Sequence, residues 1–304
     1  MYTSELSSMW VSHDPRRFFG STMRIAIASG KGGTGKTLIA TSLALAVSRS
    51  QPVIFIDADV EAPNAHFFLK PELVERIPVT SFTPLIQIDR CDGCGECVDF
   101  CAFSALALVK KKVLFFPELC HSCEGCRIVC PKAAIEKDQS TKGLIERGKA
   151  RNEIDFRRGV LAIGEPRAPV IINALKKDLP QDKDQVILID CPPGTGCAMI
   201  AAVEDADYCL LVTEPTPFGF SDLKMAVAAI EELRVSFGVI INKQGLNGNK
   251  TEVYCREKGI DILGRIPFQR SIGERYARGL TLLDGENSFC DDLCAIFDRI
   301  EIKG

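Results

Sequence analysis

Apolar residues run almost unbroken through "MRIAIAS" (23–29), the pattern of a strand buried on both faces. A glycine-rich stretch follows, then "TLIATSLALAVSRS", which predicts a helix. "PVIFIDAD" (52–59) predicts a second strand ending in two aspartates. The same texture returns with a helix over 169–179 and the strands "VILID" (186–190) and "YCLLVTEP" (208–215). It continues with the helix "SDLKMAVAAIEEL", the strand "FGVIINK" (237–243), a helix near 250–258 and the strand "DILGRIP" (261–267). Asn249 with Glu252 reads as a capping pair, and Gly259 as a helix stop. Strands alternating with helices predict an α/β fold, a mainly parallel sheet wrapped by helices on both faces.

Between Thr83 and Lys137 the alternation stops and cysteines dominate, so residues 83–137 read as a small α+β domain inserted into one α/β domain, 23–82 and 138–304. Residues 1–22 have no apolar core or cleavage-type end and read as a disordered extension with little role in the fold. Fourteen cysteines in 304 residues without a secretory signal point to metal ligation in a reducing cytoplasm, not to disulfides. A net charge of −3 gives no reason to expect nucleic-acid binding, and no apolar run reaches the ~18 residues of a membrane span.

Gly30, Lys31, Gly32, Gly33, Thr34, Gly35, Lys36 and Thr37 fit G-x-x-x-x-G-K-[ST] between a strand and a helix, the setting of a phosphate-binding loop. Backbone N–H groups freed by the glycines, together with the helix N-terminus, would cradle phosphates. Lys36 is expected to reach the β- and γ-phosphates and the Thr37 hydroxyl to meet Mg²⁺. Asp190 ends a predicted strand before "CPPGTG", a position suited to holding Mg²⁺.

The inserted segment repeats itself. Cys91, Cys94, Cys97 and Cys101 recur as Cys120, Cys123, Cys126 and Cys130, a constant offset of 29. The spacing C-x₂-C-x₂-C-x₃-C, twice, is that of bacterial two-cluster ferredoxins, whose fourth cysteine ligates the other cluster. It assigns Cys91, Cys94, Cys97 and Cys130 to one [4Fe–4S] cluster and Cys120, Cys123, Cys126 and Cys101 to a second. Zinc is the competing reading, but zinc ribbons pair two C-x₂-C units and need no further cysteines at these steps. The second motif carries a proline, Pro131, where the first has Ala102, which should loosen the first turn. His121 reads as an exposed loop residue, and Cys209, Cys255, Cys290 and Cys294 as packed apolar side chains.

A second lysine opening the phosphate loop, in "GKGGTGK", resembles the deviant Walker A loop of the MinD/Mrp/nitrogenase-iron-protein ATPases. "VTEPTPFGFSDLKMAV", "DCPPGTG" and "IGEP" resemble MinD-superfamily ATPases that contain an inserted ferredoxin domain. The resemblance implies an Mg²⁺-dependent ATPase that forms a homodimer on binding ATP, with Lys31 reaching the partner's nucleotide. It makes Asp59 the switch I aspartate that positions the attacking water, Asn242 the adenine-recognising side chain and Pro267 part of a base-flanking loop; Asp57 is left a structural partner. Cys191 and Cys197 flank the loop in "DCPPGTGC", which resembles the family's switch II; in the nitrogenase iron protein a cluster bridges the dimer near this region, so Cys197, with Cys191, is a candidate for a third cluster or redox contact at the dimer face.

Attachment of the cassette directly to switch I would couple nucleotide state to two [4Fe–4S] clusters and to electron transfer toward a redox client. An Mrp-type iron–sulfur carrier is the alternative, although no C-terminal C-x-x-C is present. A MinD- or ParA-like positioning ATPase would want a basic amphipathic C-terminus or a basic DNA-binding face, and "CDDLCAIFDRIEIKG" has neither character.

Overall fold

Ile25 and Ile27 pack into one buried cluster and Ala26 and Ala28 into another, because successive residues of a strand face opposite sides of its sheet. Both faces are apolar here, so helices must cover both. The computed structural model describes residues 22–138, 141–177, 179–180, 184–245, 249–285 and 288–300. Apart from Thr22, the expected N-terminal extension lies outside the described residues.

In chain order come β1 (Thr22–Ala28), α1 (Lys36–Val47), β2 (Val53–Asp57), α2 (His66–Leu69) and β3 (Glu72–Thr80). The cysteine segment follows as β4 (Thr83–Ile86), α3 (Glu96–Phe100), β5 (Leu106–Val109), β6 (Lys112–Phe115), α4 (Gly125–Val129) and β7 (Ile135–Asp138). The chain returns through β8 (Thr141–Lys149), β9 (Asp155–Leu161), α5 (Ala168–Lys176), β10 (Gln185–Asp190), α6 (Cys197–Val203) and β11 (Tyr208–Thr213). It ends with α7 (Pro217–Leu233), β12 (Ser236–Gln244), α8 (Lys250–Lys258), β13 (Ile262–Pro267), α9 (Arg270–Ala277) and α10 (Ser288–Asp298).

Among the described residues nine strands form one sheet in the order β13-β12-β11-β1-β10-β2-β9-β8-β3. Every pairing from β13 across to β9 is parallel, while β8 and β3 extend the edge as an antiparallel ribbon. Helices α1 and α10 cover one face, with Leu43 and Leu293 in its cluster. Helices α5, α6 and α7 cover the other through Ile171, Met199 and Ile230. Helix α1 is buried along its whole length, which is why its sequence shows so little polar face.

Three observations depart from the sequence reading. Strands β3, β8 and β9 lie where no strand was expected, since Glu, Lys and Arg interrupt any apolar pattern, in β3 on a mostly exposed strand and in β8 and β9 as buried side chains such as Lys142, Glu146 and Arg157. Asn249 sits at the N-cap of α8 without a side-chain hydrogen bond, and Glu252 pairs instead with Arg265 at 2.9 Å. The cysteine segment does not leave directly from the end of β2: α2 and β3 intervene. It hangs from the β3–β8 ribbon, where Thr80 lies opposite Thr141. The helix stop at Gly259 is as expected, left-handed with φ 68°.

Candidate functional site

The C-terminal ends of parallel strands are where an open α/β sheet collects loops, and β1, β10 and β2 bring theirs together here. The loop after β1 enters α1 through Gly35, whose φ of 90° is left-handed. A side chain at Gly35 would also strike the Asn242 amide, so glycine is required there twice over. Lys36 points across to β10, its Nζ 2.5 Å from Asp190 Oδ1. Burial alone would lower the Lys36 ammonium, but the Asp190 carboxylate holds it above its ordinary value.

Asp190 pairs in register with Asp57 on β2, and both are fully buried. Asp57 accepts from the backbone N–H of Ala65 at 2.9 Å and of Asp59 at 3.3 Å. Burial, and then the neighbouring Asp190, push its carboxyl up to about 7. Asp57 is therefore the acid that orders the loop carrying Asp59, as a structural partner should be. Asp59 is half-buried on that loop, and burial raises its carboxyl too. Asp190 Oδ2 is buried with no hydrogen-bond partner. An orphaned carboxylate oxygen beside Lys36 suits a hard cation such as Mg²⁺, which takes oxygen ligands.

Asn242 lies under the loop at the end of β12, donating to the Thr34 carbonyl at 2.7 Å and accepting from Lys243 N–H at 2.9 Å. Pro267 ends β13, and the next residue, Phe268, is exposed. Lys31 Nζ is 2.7 Å from Glu214 Oε1, while Lys243 Nζ is 2.8 Å from the other Glu214 oxygen and from the Gly33 carbonyl. Burial would raise the Glu214 carboxyl, but these two lysines bring it below its ordinary value. Glu214 and Lys243 were not singled out in the sequence; the available signal was an acid at the end of a predicted strand, the reasoning applied to Asp190.

Cys191 and Cys197 are not alike. Cys191 is fully buried against the Ile189 carbonyl and its thiol is pushed up to about 12, whereas Cys197 is exposed at the start of α6. A contact at an exposed face is open to Cys197 and closed to Cys191 as packed. Cys290 is buried, receives a hydrogen bond from Arg49 at 2.8 Å and neighbours Cys294, which packs against the core.

The cysteine segment has its own apolar cluster of Phe82, Cys97, Leu106 and Ile135. Its backbone obeys the sequence repeat: β4, α3 and β5 begin at Thr83, Glu96 and Leu106, and β6, α4 and β7 at Lys112, Gly125 and Ile135. Pairing is crossed, β4 with β7 and β5 with β6. Left-handed residues also recur in pairs: Gly93 with Ser122, Gly95 with Glu124 and Ser104 with Ala133. Non-glycine residues in this region cost roughly 1–2 kcal/mol each, so the second copy keeps its loop shape against local preference.

Cys101 and Cys130 each accept a backbone N–H from four residues on, Ala105 at 3.4 Å and Ala134 at 3.3 Å. The turn at Ala102 thus closes as the Pro131 turn does. Cys91, Cys94, Cys97 and Cys130 line one cavity with Ile86 and Val113. Burial foremost, then Cys130, Cys91 and Cys94, raise the Cys97 thiol. In the other half, burial and then Cys120 and Cys123 push Cys126 up to about 11. Among the described residues no three His, Cys, Asp or Glu side chains converge as for a single metal ion. A cubane gives each thiolate its own iron and so holds its ligands farther apart than one ion would. His121 is exposed and stacks on Phe103 with ring centroids 3.8 Å apart.

A family model described as "CobQ/CobB/MinD/ParA nucleotide binding domain" matches residues 25–282. The chain belongs to that family. An uncharacterized protein of Methanocaldococcus jannaschii is 30% identical over 93% of this chain and 98% of its own length. An iron-sulfur cluster carrier protein of the same organism is 24% identical over 92% of this chain and 84% of its own. Among solved structures, the septum site-determining protein MinD of Pyrococcus horikoshii, complexed with Mg-ADP, superposes with a TM-score of 0.54 at 19% identity. That superposition covers 90% of this chain and 94% of MinD, and it shows the fold. This CobQ/CobB/MinD/ParA member is therefore an α/β P-loop ATPase. Among the described residues no helix is long and apolar enough to cross a membrane.

Proposed function

We propose that the chain is an ATP-hydrolysing iron–sulfur protein in which closure of an ATP-bound homodimer is coupled to electron transfer through two [4Fe–4S] clusters in residues 83–137. The carrying observation is the crossed cysteine set: Cys130, from the second motif, shares a cavity with Cys91, Cys94 and Cys97 of the first. Cys120, Cys123, Cys126 and Cys101 form the matching set in this reading. Such clusters, when bound, supply one-electron redox chemistry at potentials set by charge, exposure and hydrogen bonds to sulfur. The chain's part is to hold thiolates, direct N–H donors at them and shield one side with the Phe82–Ile135 cluster.

At the nucleotide site Lys36 and the loop backbone bind phosphates, Thr37 and Asp190 hold Mg²⁺, and Asp59 positions the attacking water. Lys31 is the residue that completes the partner's site. Asn242, beside the loop, and Pro267, at the end of β13, border the place assigned to the base. The client is a redox enzyme or another iron–sulfur protein.

The experiment is an anaerobic redox titration followed by EPR, with and without MgATP. Allosteric coupling of ~1–3 kcal/mol moves a one-electron potential by roughly 40–130 mV. A shift of that size supports gating by ATP, and an unmoved potential defeats it.

A second reading, an iron–sulfur cluster carrier, draws on relatives that bear that name at 21–25% identity. Clusters would then be cargo. Iron that moves to an apo-protein on hydrolysis selects the carrier, while roughly eight tightly held irons per chain select the electron-transfer reading.

A further inference from the structure

The two cysteine repeats share a backbone but not their surroundings. Beside the first, Lys132 is exposed and 3.7 Å from Asp92. Beside the second stands a buried cation, Arg167, only 7% exposed and immediately before α5 of the nucleotide-binding framework. Arg167 Nη1 donates to Ser122 Oγ at 3.1 Å, and Nη2 to Thr83 Oγ1 at 3.3 Å. Glu165 grips the guanidinium from behind, Nε to Oε1 at 2.5 Å and Nη2 to Oε2 at 3.0 Å. Hydrogen bonding to Glu165 foremost, and then the Cys120 sulfur, hold the guanidinium above its ordinary value.

The segment bearing this clamp also touches the Asp59 loop. Leu161 N–H donates to the Val60 carbonyl at 2.9 Å, one residue from Asp59. Glu165 N–H closes back on Ala162 at 3.0 Å, so the stretch from Val60 to Ser122 is joined by short contacts. A planar fork held on both sides transmits displacement better than a flexible ammonium would.

We propose that Arg167 is a positioning residue that ties the Cys120, Cys123, Cys126 and Cys101 site, and not its twin, to the nucleotide site. The inference rests on the functional reading above, since it takes both sites as cluster sites. A buried cation donating beside one set of sulfurs favours the more negative, reduced state there and raises that site's potential alone. Movement of the Asp59 loop would then be felt first at this site, which becomes the inner of the two. The other, lined by Cys91, Cys94, Cys97 and Cys130, becomes the outer one, facing a client.

The test uses full-length, anaerobically purified protein, titrated with dithionite and followed by EPR with and without MgATP. Cys123→Ala assigns which signal belongs to the inner site. Arg167→Gln should make that signal roughly tenfold harder to reduce at a fixed poise, a shift of about 59 mV, and leave the other unmoved. Arg167→Lys keeps the charge and loses the fork, so the potential should stay while the MgATP response goes. If Arg167→Gln loses iron or fails to fold, Ser122→Ala with Thr83→Val cuts the clamp without touching the charge. That pair should abolish the MgATP response of the inner signal only. Equal shifts in both signals, no shift with iron retained, or an intact MgATP response in the Ser122/Thr83 pair would overturn the role of Arg167. Wild-type protein without cluster iron would instead sink the functional reading, and this inference with it.

Discussion

Lys36 Nζ stands 2.5 Å from Asp190 Oδ1, and the two side chains are 7% and 0% exposed. The lysine proposed to bind phosphate is thus paired with the acid proposed to hold Mg²⁺. On that proposal nucleotide and cation would separate the pair, each taking one partner. Removing one partner leaves the other charge uncompensated.

Lys36→Ala should therefore lose nucleotide binding and destabilise the fold by about 3–5 kcal/mol. Lys36→Met combined with Asp190→Asn should recover most of the stability and none of the binding. Urea unfolding and equilibrium binding of a fluorescent ATP analogue separate the two effects. Equal stability of Lys36→Ala and wild type would show the pair to be solvated.

Asp59→Ala should bind ATP as tightly as wild type and hydrolyse it at least ~10²-fold more slowly, in the range of lost proton-transfer or water-orienting groups. Single-turnover hydrolysis measures this directly. A wild-type rate would remove Asp59 from the switch I role.

Glu214 holds Lys31 and Lys243 at 2.7 and 2.8 Å within its own chain. If Lys31 completes a partner's site, Glu214→Gln should release it and lower the MgATP concentration needed for dimerisation several-fold. Lys31→Ala should bind ATP and fail to hydrolyse it. Sedimentation across an ATP series tests the first and single-turnover hydrolysis the second; a Glu214→Gln protein that dimerises as wild type does would make the contact merely structural.

Cys130→Ala and Cys101→Ala should affect opposite halves. With crossed ligation, Cys130→Ala disturbs the signal of the Cys91, Cys94 and Cys97 set, and Cys101→Ala that of the Cys120, Cys123 and Cys126 set. Iron would fall from roughly eight per chain towards four in each. Pairing these variants with Cys94→Ala and Cys123→Ala reveals which signals coincide. If Cys130→Ala matched Cys123→Ala, ligation would be local and the crossed reading would fail.

Asp284 accepts from both terminal nitrogens of Arg151, at 2.8 and 3.1 Å, and from Thr281 N–H and Oγ1–H at 2.7 and 2.8 Å. Burial would raise its carboxyl, but these bonds hold it down at about 2. A carboxyl depressed on folding stabilises above its unfolded value of 3.8 and loses that contribution as pH falls towards 2. Asp284→Asn should cost about 1–2 kcal/mol at pH 6 after allowance for solvent screening. The gap between the urea midpoints of wild type and variant should narrow below pH 4; a constant gap would count against the ion pair.

The sequence by itself determined the parallel strands of the sheet apart from β9, and the glycine-rich loop between β1 and α1. Runs such as "MRIAIAS" and "VILID" have to be buried on both faces, and Gly30 to Thr37 sit within one strand–loop–helix unit whose chemistry is local. The repeat of four cysteines was equally legible, because its spacing is local to the chain and its offset of 29 is kept by the backbone elements. Tertiary structure alone decided the rest. The β3–β8 ribbon is rich in Glu, Lys and Arg, on a mostly exposed β3 and a mostly buried β8, so its pairing across the inserted segment leaves no hydrophobic period to read. Glu214 meets Lys31, and Arg167 meets Ser122, only because strands and loops distant in sequence end beside one another. A single charged residue carries no periodicity, and its partner is chosen by the fold that delivers it.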